Sequence, residues 1–310
     1  MAAATTPAGA TFPGRNGPIA FRQFDPATGS FELFRARQDG SQMTGLTDRP
    51  GFFSDWRADG RRLAFDYFDA DGNEQIATIR SDGSDLREIT SGPGGHEVPS
   101  WSPDGRRIVF DSGEGDPNTP DFHTRLWTMR SDGSHPRPLP MLPAGFDVEP
   151  RYSPDGRWIA FGRLSFTSAG DQLQAVFIVG AQGGPVRQLT PWELNAEHPT
   201  WSPDSRWITY DSLPSLDSPA GTIEAVRPDG LGRRTILAAT DRLGAHKPWF
   251  SPDGARILFM CAITSAGGDV NEDICVAHAD GSHVVNVTNT PDAFENWPSW
   301  GPAPSGDDQD

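Results

Sequence analysis

PSWSPDGRRIVFD, residues Pro99–Asp111, is one copy of a repeat that decides the fold. Each copy joins a short aromatic strand to an apolar strand through a tight turn, in which proline presets φ and glycine supplies φ > 0. Recurrence at this length predicts a repeat architecture. The related copies are Trp56–Asp66 (WRADGRRLAFD), Pro150–Phe161 (PRYSPDGRWIAF), Pro199–Asp211 (PTWSPDSRWITYD) and Pro248–Phe259 (PWFSPDGARILF).

Two tight turns per copy imply four antiparallel strands, which is the pattern of a propeller blade. We therefore predict an all-β fold, a six-bladed β-propeller. The first turns end at Gly17, Gly60, Gly105, Gly156, Ser205 and Gly254, and the second turns at Gly40, Gly83, Gly133, Gly183, Gly230 and Gly281. The first unit lacks a first strand, and Trp297–Pro302 (WPSWGP) is a first strand without a second. A C-terminal strand that completes blade 1 would close the ring and remove an open sheet edge.

The repeat divides the chain into three segments. We expect residues 1–13 to form a flexible N-terminal arm and residues 14–302 to form a single propeller domain. Residues 303–310 carry three aspartates and are predicted to be a disordered acidic tail. We expect the protein to be a monomer.

Composition narrows the classes of partner. The formal net charge is -16, which disfavours nucleic acid because phosphates require a basic surface. No apolar run approaches the length of a membrane span, so we expect no membrane insertion. The first residues, MAAATTPAGA, have neither a basic nor an apolar region, so the sequence as given shows no signal peptide.

The motif Trp-Ser-Pro-Asp-Gly-Arg with a downstream Asp-Gly-Ser turn resembles the TolB-type propeller repeat, also called PD40 or WD40-like. The resemblance covers about Gly14 to Pro302 and implies a six-bladed propeller, commonly periplasmic or extracellular. Members include a periplasmic envelope protein, propellers of peptidases and metal-dependent lyases of acidic oligosaccharides. The chain has neither the envelope protein's separate α/β domain nor a Gly-x-Ser-x-Gly nucleophile motif, so the resemblance implies no single activity.

The strand order places both tight turns at one end of the propeller, here called the turn face. The loops between second and third strands lie at the opposite end, the loop face. These loops vary in length, and variable loops on a rigid scaffold commonly bind ligands. We therefore predict a protein, peptide or glycan ligand on the loop face. The predicted ligand-binding residues are Phe122, Trp192, Phe294 and Lys247.

Polar residues precede each first strand and should surround the mouth of the central channel. Histidine and carboxylate ligands from different blades could hold a divalent cation, with Ca, Mn and Zn as the candidates. The candidate metal ligands are His96, Glu97, Glu149, Glu197, His198, His246 and Glu295. Of these, His246, His198 and Glu197 are also the candidate catalytic acids and bases.

Two functions follow as hypotheses. The leading one is a non-catalytic binding or scaffold module, since the repeat comes without a nucleophile or cofactor motif. The alternative is a metal-assisted lyase, hydrolase or isomerase at the channel mouth. Cys261 and Cys275 should lie on neighbouring strands, where they form either a disulfide or two buried free thiols.

Overall fold

The computed structural model describes residues 12–25, 29–114, 122–140, 145–215, 218–265, 267–290 and 293–304. Strands dominate this part of the chain, and a short 3₁₀ helix spans Trp192–Leu194. The strands of the first half are β1 Asn16–Asp25, β2 Ser30–Ala36, β3 Thr44–Trp56, β4 Arg62–Phe68, β5 Glu74–Arg80, β6 Arg87–Glu88, β7 His96–Trp101, β8 Arg107–Glu114, β9 His123–Arg130, β10 Arg137–Pro138 and β11 Phe146–Tyr152. Those of the second half are β12 Trp158–Phe166, β13 Gln172–Gly180, β14 Arg187–Gln188, β15 Ala196–Trp201, β16 Ile208–Ser212, β17 Thr222–Val226, β18 Arg234–Leu237, β19 Leu243–Phe250, β20 Arg256–Thr264, β21 Val270–His278, β22 Val285–Asn286 and β23 Glu295–Pro302.

The strands pair as antiparallel four-stranded sheets, which confirms the predicted all-β propeller class. Strands β15 to β18 form one such sheet and β19 to β22 another. Strands β7 to β10 and β11 to β14 are joined by one parallel contact between Phe146 and Thr124. The long strand β3 pairs with β2 through its first part and with β4 through its second, so it belongs to two sheets. The count of six blades stays a prediction.

The last strand closes the ring as predicted. Strand β23 pairs antiparallel with β1, with Trp300 opposite Ile19. Beyond it, the Ala303 amide donates to the carbonyl of Arg15 at 2.8 Å. The edge that β1 would otherwise expose is therefore paired. The predicted arm and tail fall mainly outside the described residues, although Phe12 is buried in the core.

The turn chemistry explains why the repeat folds as it does. In the Ser102–Arg107 turn, Asp104 Oδ1 accepts hydrogen bonds from the Ser102 hydroxyl and the Arg106 amide. Gly105 has φ +65, a left-handed value that glycine adopts without steric cost. The amide of Ser131, in the second turn, donates to the carbonyl of Arg106 in the first. Both turns therefore lie at the same end, the predicted turn face.

The core lies between sheets, where one aromatic residue per repeat is buried. Trp56, Trp101, Trp201 and Trp300 are at most 2 % exposed. Cys261 and Cys275 form a disulfide between β20 and β21, with sulfurs 2.03 Å apart. Within the described residues, no helix has the length and apolarity needed to cross a bilayer.

Candidate functional site

A bulge in the first strand of each sheet builds the channel mouth. In β15, the pairing with β16 shifts between Glu197 and Thr200, and His198 within the shift has φ 51. One extra residue at this point bends the strand and re-aims a side chain. Register shifts recur at the matching place in β3, β7, β11, β19 and β23. The left-handed residues at these bulges are Val98, Glu149, His198, Lys247 and Trp297.

Backbone strain at these positions is maintained by neighbouring carboxylates. The amide of Glu149 donates to Asp111 Oδ1 at 3.2 Å, and the amide of His198 donates to Glu149 Oε2 at 2.9 Å. In β3, the amide of Phe53 donates to Asp66 Oδ1 at 2.7 Å. A bulge leaves such amides without a ladder partner, so these acids have a structural role as well as any role in binding.

The bulge residues meet around the central channel. A narrow cavity of about 20 Å³ is lined by Phe53, Glu149, His198, Lys247 and Trp297, together with neighbouring residues of the same strands. This volume holds about one water molecule or ion. The cavity is therefore too small for a larger ligand, which would contact these side chains from outside it.

His198 is the centre of an ionic network at the mouth. Its Nδ1 lies 2.9 Å from Asp211 Oδ1, and its Nε2 lies 3.2 Å from Glu149 Oε1. Glu197 Oε2 is 3.8 Å from the same Nδ1. Asp211 also contacts a second histidine, since His246 Nδ1 lies 3.5 Å from its Oδ2. One buried carboxylate thus bridges two histidines from neighbouring sheets.

The network fixes the charges of its members. Burial disfavours the imidazolium of His198, but Glu149 and Asp211 outweigh burial and raise its pKa to about 9. Burial likewise disfavours the carboxylate of Asp211, yet His198 holds its pKa below the usual range. Burial raises the pKa of Glu197 to about 7. At neutral pH, His198 is therefore a cation held between two anions.

Carboxyl groups crowd the other side of the mouth. Burial raises the pKa of Asp66 to about 8 and that of Asp111 well above its ordinary value. Burial, with Glu74 and Asp111 nearby, raises the pKa of Glu97 to about 10. Asp66 is fully buried, and its Oδ2 has no hydrogen-bond partner among the described residues. This half of the mouth holds protons at neutral pH mainly because burial disfavours the charged carboxylates, and their mutual repulsion adds to this.

Aromatic and cationic groups form the opposite half. The ring of Trp297 lies 3.9 Å from that of Phe53 and 4.7 Å from the imidazole of His198. Lys247 Nζ is 4.3 Å from the same ring, and Arg22 Cζ is 5.9 Å from it. Trp297 therefore contacts both an aromatic wall and two cations. The sequence did not single out Trp297 or Arg22 as ligand contacts, although the proline after Trp297 marks the position it shares with His198 and Lys247.

Not every predicted site residue joins this cluster. His96 Nδ1 lies 3.0 Å from the Ser112 hydroxyl, and burial lowers the His96 pKa. The buried Glu295 accepts hydrogen bonds from Gln23, Thr288 and Thr290 beside the closing strand.

The predicted loop-face aromatics differ in exposure. Phe294 is 48 % exposed, whereas Trp192 is half-buried against Phe177, at 5.6 Å between ring centroids. The half-buried Phe122 packs near Phe146. Phe166, which is 51 % exposed, contacts Phe146 from the other side.

Three of the predicted ligands could hold a metal ion. Ligand atoms of Glu197, His198 and Asp211 all lie within 4.8 Å of one another. A mixed nitrogen and oxygen donor set suits Zn or Mn. The second carboxylate oxygen of Asp211, Oδ2, faces His246 Nδ1 at 3.5 Å. Because metal binding requires a neutral imidazole, an ion would have to displace the proton of His198.

Comparison with known proteins gives the fold. No protein-family model matches the sequence, and no curated protein matches it in a sequence search. Among solved structures, TolB from Acinetobacter baumannii superposes with a TM-score of 0.73 at 22% identity, over 92% of this chain and 67% of that protein. The hydrazine synthase of Kuenenia stuttgartiensis gives 0.75 at 16% identity, and the chain spans only 48% of it.

A third similar structure is an enzyme with a metal. An oligogalacturonate lyase in complex with manganese matches with a TM-score of 0.60 at 16% identity, over 92% of this chain and 78% of the lyase. Identities this low establish architecture and leave activity open. The chain therefore has a TolB-like β-propeller fold.

Proposed function

We propose that the protein is a propeller binding module that holds its ligand at the mouth of the central channel. The observation that carries this proposal is the grouping of Trp297 with Phe53, His198 and Lys247 around one point. An aromatic ring flanked by charged groups provides both contact area and orientation for a ligand. The left-handed backbone at three of these residues is the kind of local strain that accumulates at functional sites.

The loop face extends this site. Phe68, Phe166 and Phe294 are each more than 40 % exposed there, and exposed aromatic side chains are common anchors in protein and glycan recognition. We expect the contact area predicted from the sequence, including Phe122 and Trp192, to extend this surface. The ligand is thus a peptide, protein segment or glycan that lies over the loop face and places one group in the mouth.

The disulfide supports a location outside the cytosol. Bonds such as Cys261–Cys275 persist in oxidising surroundings and are rare in the cytosol. Together with the TolB-like fold, it supports a periplasmic or extracellular location.

The test is a binding screen of the purified protein on peptide and glycan arrays, followed by affinity measurement for each hit. Trp297→Ala should weaken the hits at least tenfold, whereas Trp207→Ala should leave them unchanged. Trp207 is a suitable control because it is a half-buried tryptophan that packs with Arg234, outside the mouth. Hits that survive Trp297→Ala but are lost in Phe294→Ala would move the site to the outer loop face and refute the channel mouth as its centre.

A second candidate is a metal-assisted lyase, hydrolase or isomerase, favoured by the Glu197, His198 and Asp211 group. These three residues would hold a divalent ion, which would supply Lewis-acid activation when bound. His246, on the far side of Asp211, is buried, with its Nε2 at 3.1 Å from the Pro219 carbonyl oxygen, so its role would be to orient Asp211.

Calorimetric titration of chelator-treated protein with Mn, Zn and Ca tests this candidate. We expect binding to strengthen between pH 6 and pH 9, because His198 must release a proton, and to be lost in Asp211→Asn. An ion that binds Asp211→Asn as tightly as the wild type would exclude this metal site.

A further inference from the structure

Lys247 is the only lysine in the 310 residues. The bulge of β19 directs it to the channel mouth, where its Nζ lies over the ring of Trp297. The nearest hydrogen-bonding contact of this ammonium group is the Met260 sulfur, 3.7 Å away. Burial among these groups lowers the pKa of Lys247.

Arg22 also lies near the ring of Trp297. It is on β1, which pairs with the strand of Trp297, whereas Lys247 is on β19 in a different sheet. Its guanidinium stacks over Phe31 at 4.1 Å and Phe52 at 5.0 Å. Its Nε donates to the side-chain oxygen of Asn296, a neutral acceptor. Burial lowers the Arg22 pKa to about 10. Arg22 is therefore held in a fixed orientation by aromatic rings, and among the described residues only its Nε donates a hydrogen bond.

Neither cation forms an ion pair within the part of the chain that the structure describes, although the sequence contains 42 acidic residues against 26 basic ones. Arg163, in contrast, makes a two-pronged contact with Asp147 at 2.5 and 2.9 Å. Burial disfavours both charges, and Glu272 favours both of them, yet it does so without an ion pair among the described residues. Two cations without a directly contacting carboxylate, beside the channel mouth, leave donors for an anionic group of the ligand.

We infer that Arg22 and Lys247 form a carboxylate-binding subsite, with Trp297 as the surface on which the rest of the ligand packs. This inference rests on the proposed binding function and names the chemical group that occupies the mouth. A guanidinium offers two parallel N–H donors that match a carboxylate, and an ammonium adds a point charge. The carboxyl side of the mouth, around Asp66 and Glu97, is protonated at neutral pH and offers no cation, so the anionic end of the ligand is directed to Arg22 and Lys247.

The single lysine makes the test specific. An amine-reactive reagent can modify only Lys247 and the α-amino group, and peptide mass spectrometry separates the two. The labelling rate of Lys247 is measured with increasing N-acetyl dipeptide or its C-terminal amide, and in parallel with glucuronate or its methyl ester. We expect protection by a free acid and none by its neutral partner, and the pair that protects identifies whether the carboxylate is peptidic or glycosidic.

Variants complete the test. Arg22→Met should weaken protection about tenfold, as expected for a lost charged hydrogen bond. Arg234→Met should leave protection unchanged, because this control arginine stacks on Trp207 at 4.2 Å outside the mouth. Equal protection by acids and neutral partners, or no protection by either acid, would overturn the subsite. Array hits that need Trp297 but bind Arg22→Met and Lys247→Met normally would likewise overturn it, while leaving the binding module intact.

Discussion

Replacing His198 by glutamine should remove one contribution to the pH dependence of folding stability between pH 6 and pH 10. In the folded protein the imidazole lies between Asp211 and Glu149, at 2.9 and 3.2 Å. Its pKa is about 9, against 6.5 for a histidine in the unfolded chain. Glu197 on the same strand and Lys247 from β19 also face this site, and both remain in the variant.

The magnitude follows from linkage between protonation and folding. A folded pKa above the unfolded one adds stability that is complete below pH 6.5 and is lost as the pH rises through about 9. The difference between the two pKa values corresponds to about 3 kcal/mol. The matching depression of the Asp211 pKa describes the same interaction and is counted once. The free energy by which the wild type exceeds His198→Gln should therefore shrink by about 3 kcal/mol across this pH range.

Urea unfolding at one-unit pH intervals measures this difference, since both proteins share the buried carboxyls that also titrate there. Two-dimensional NMR of the imidazole groups, with His198 assigned by its absence in the variant, gives the pKa directly. Parallel stability curves for the two proteins, together with an NMR pKa near 6.5, would refute the network as described.

Three further predictions concern stability. Asp66→Asn should stabilise the protein at pH 9 by on the order of a few kcal/mol and by less at pH 5, because burial raises the Asp66 pKa to about 8. A thermal unfolding midpoint of the variant at pH 9 below that of the wild type would contradict this prediction. Replacing both Cys261 and Cys275 by serine should lower the free energy of unfolding in urea by about 3 kcal/mol, because the disulfide closes a loop with a sequence separation of 14. A reductant should have no effect on this variant. A variant as stable as the oxidised wild type would contradict the prediction. Gly60→Ala should lower the urea midpoint more than Gly72→Ala, although both glycines have positive φ. An added Cβ at Gly60 would lie 2.1 Å from the Pro302 carbonyl oxygen, whereas at Gly72 it would meet nothing within 4 Å. Equal midpoints would show that β23 moves to relieve this contact.

The fold could be predicted because its determinants are local and repeated. The Pro-Asp-Gly turn fixes the backbone over four residues, and the aromatic residue before it specifies the buried face. The closing strand was predicted from the same repeat pattern, because Trp297–Pro302 has the sequence of a first strand but no second strand follows it. Its pairing with β1 confirms that reasoning.

The site could be predicted only in outline. Equivalent positions in a ring must converge, so Glu149, His198 and Lys247 were expected at the mouth, where they line one cavity. Their pairing could not be read from the sequence, because whether His198 meets Asp211 or Glu97 depends on strand tilt and side-chain rotamers. Arg22 lies in the weakest copy of the repeat, where no motif aligns it with the mouth. Two sequence signals would have identified more of the mouth residues: the single lysine, and the residue that precedes the proline in each first strand.

The left-handed bulges place the side chains of the mouth at different positions from the aromatic residues that pack the blades together. Each of Val98, Glu149, His198, Lys247 and Trp297 is placed by backbone geometry, while the buried aromatic three residues later holds the sheets together. Glycine tolerates the same φ, as do asparagine and aspartate at modest cost. A library randomised at Lys247 and Trp297 could therefore redirect the propeller to new ligands, provided that the buried Val98 and the Glu149–His198 contacts that hold neighbouring bulges are kept.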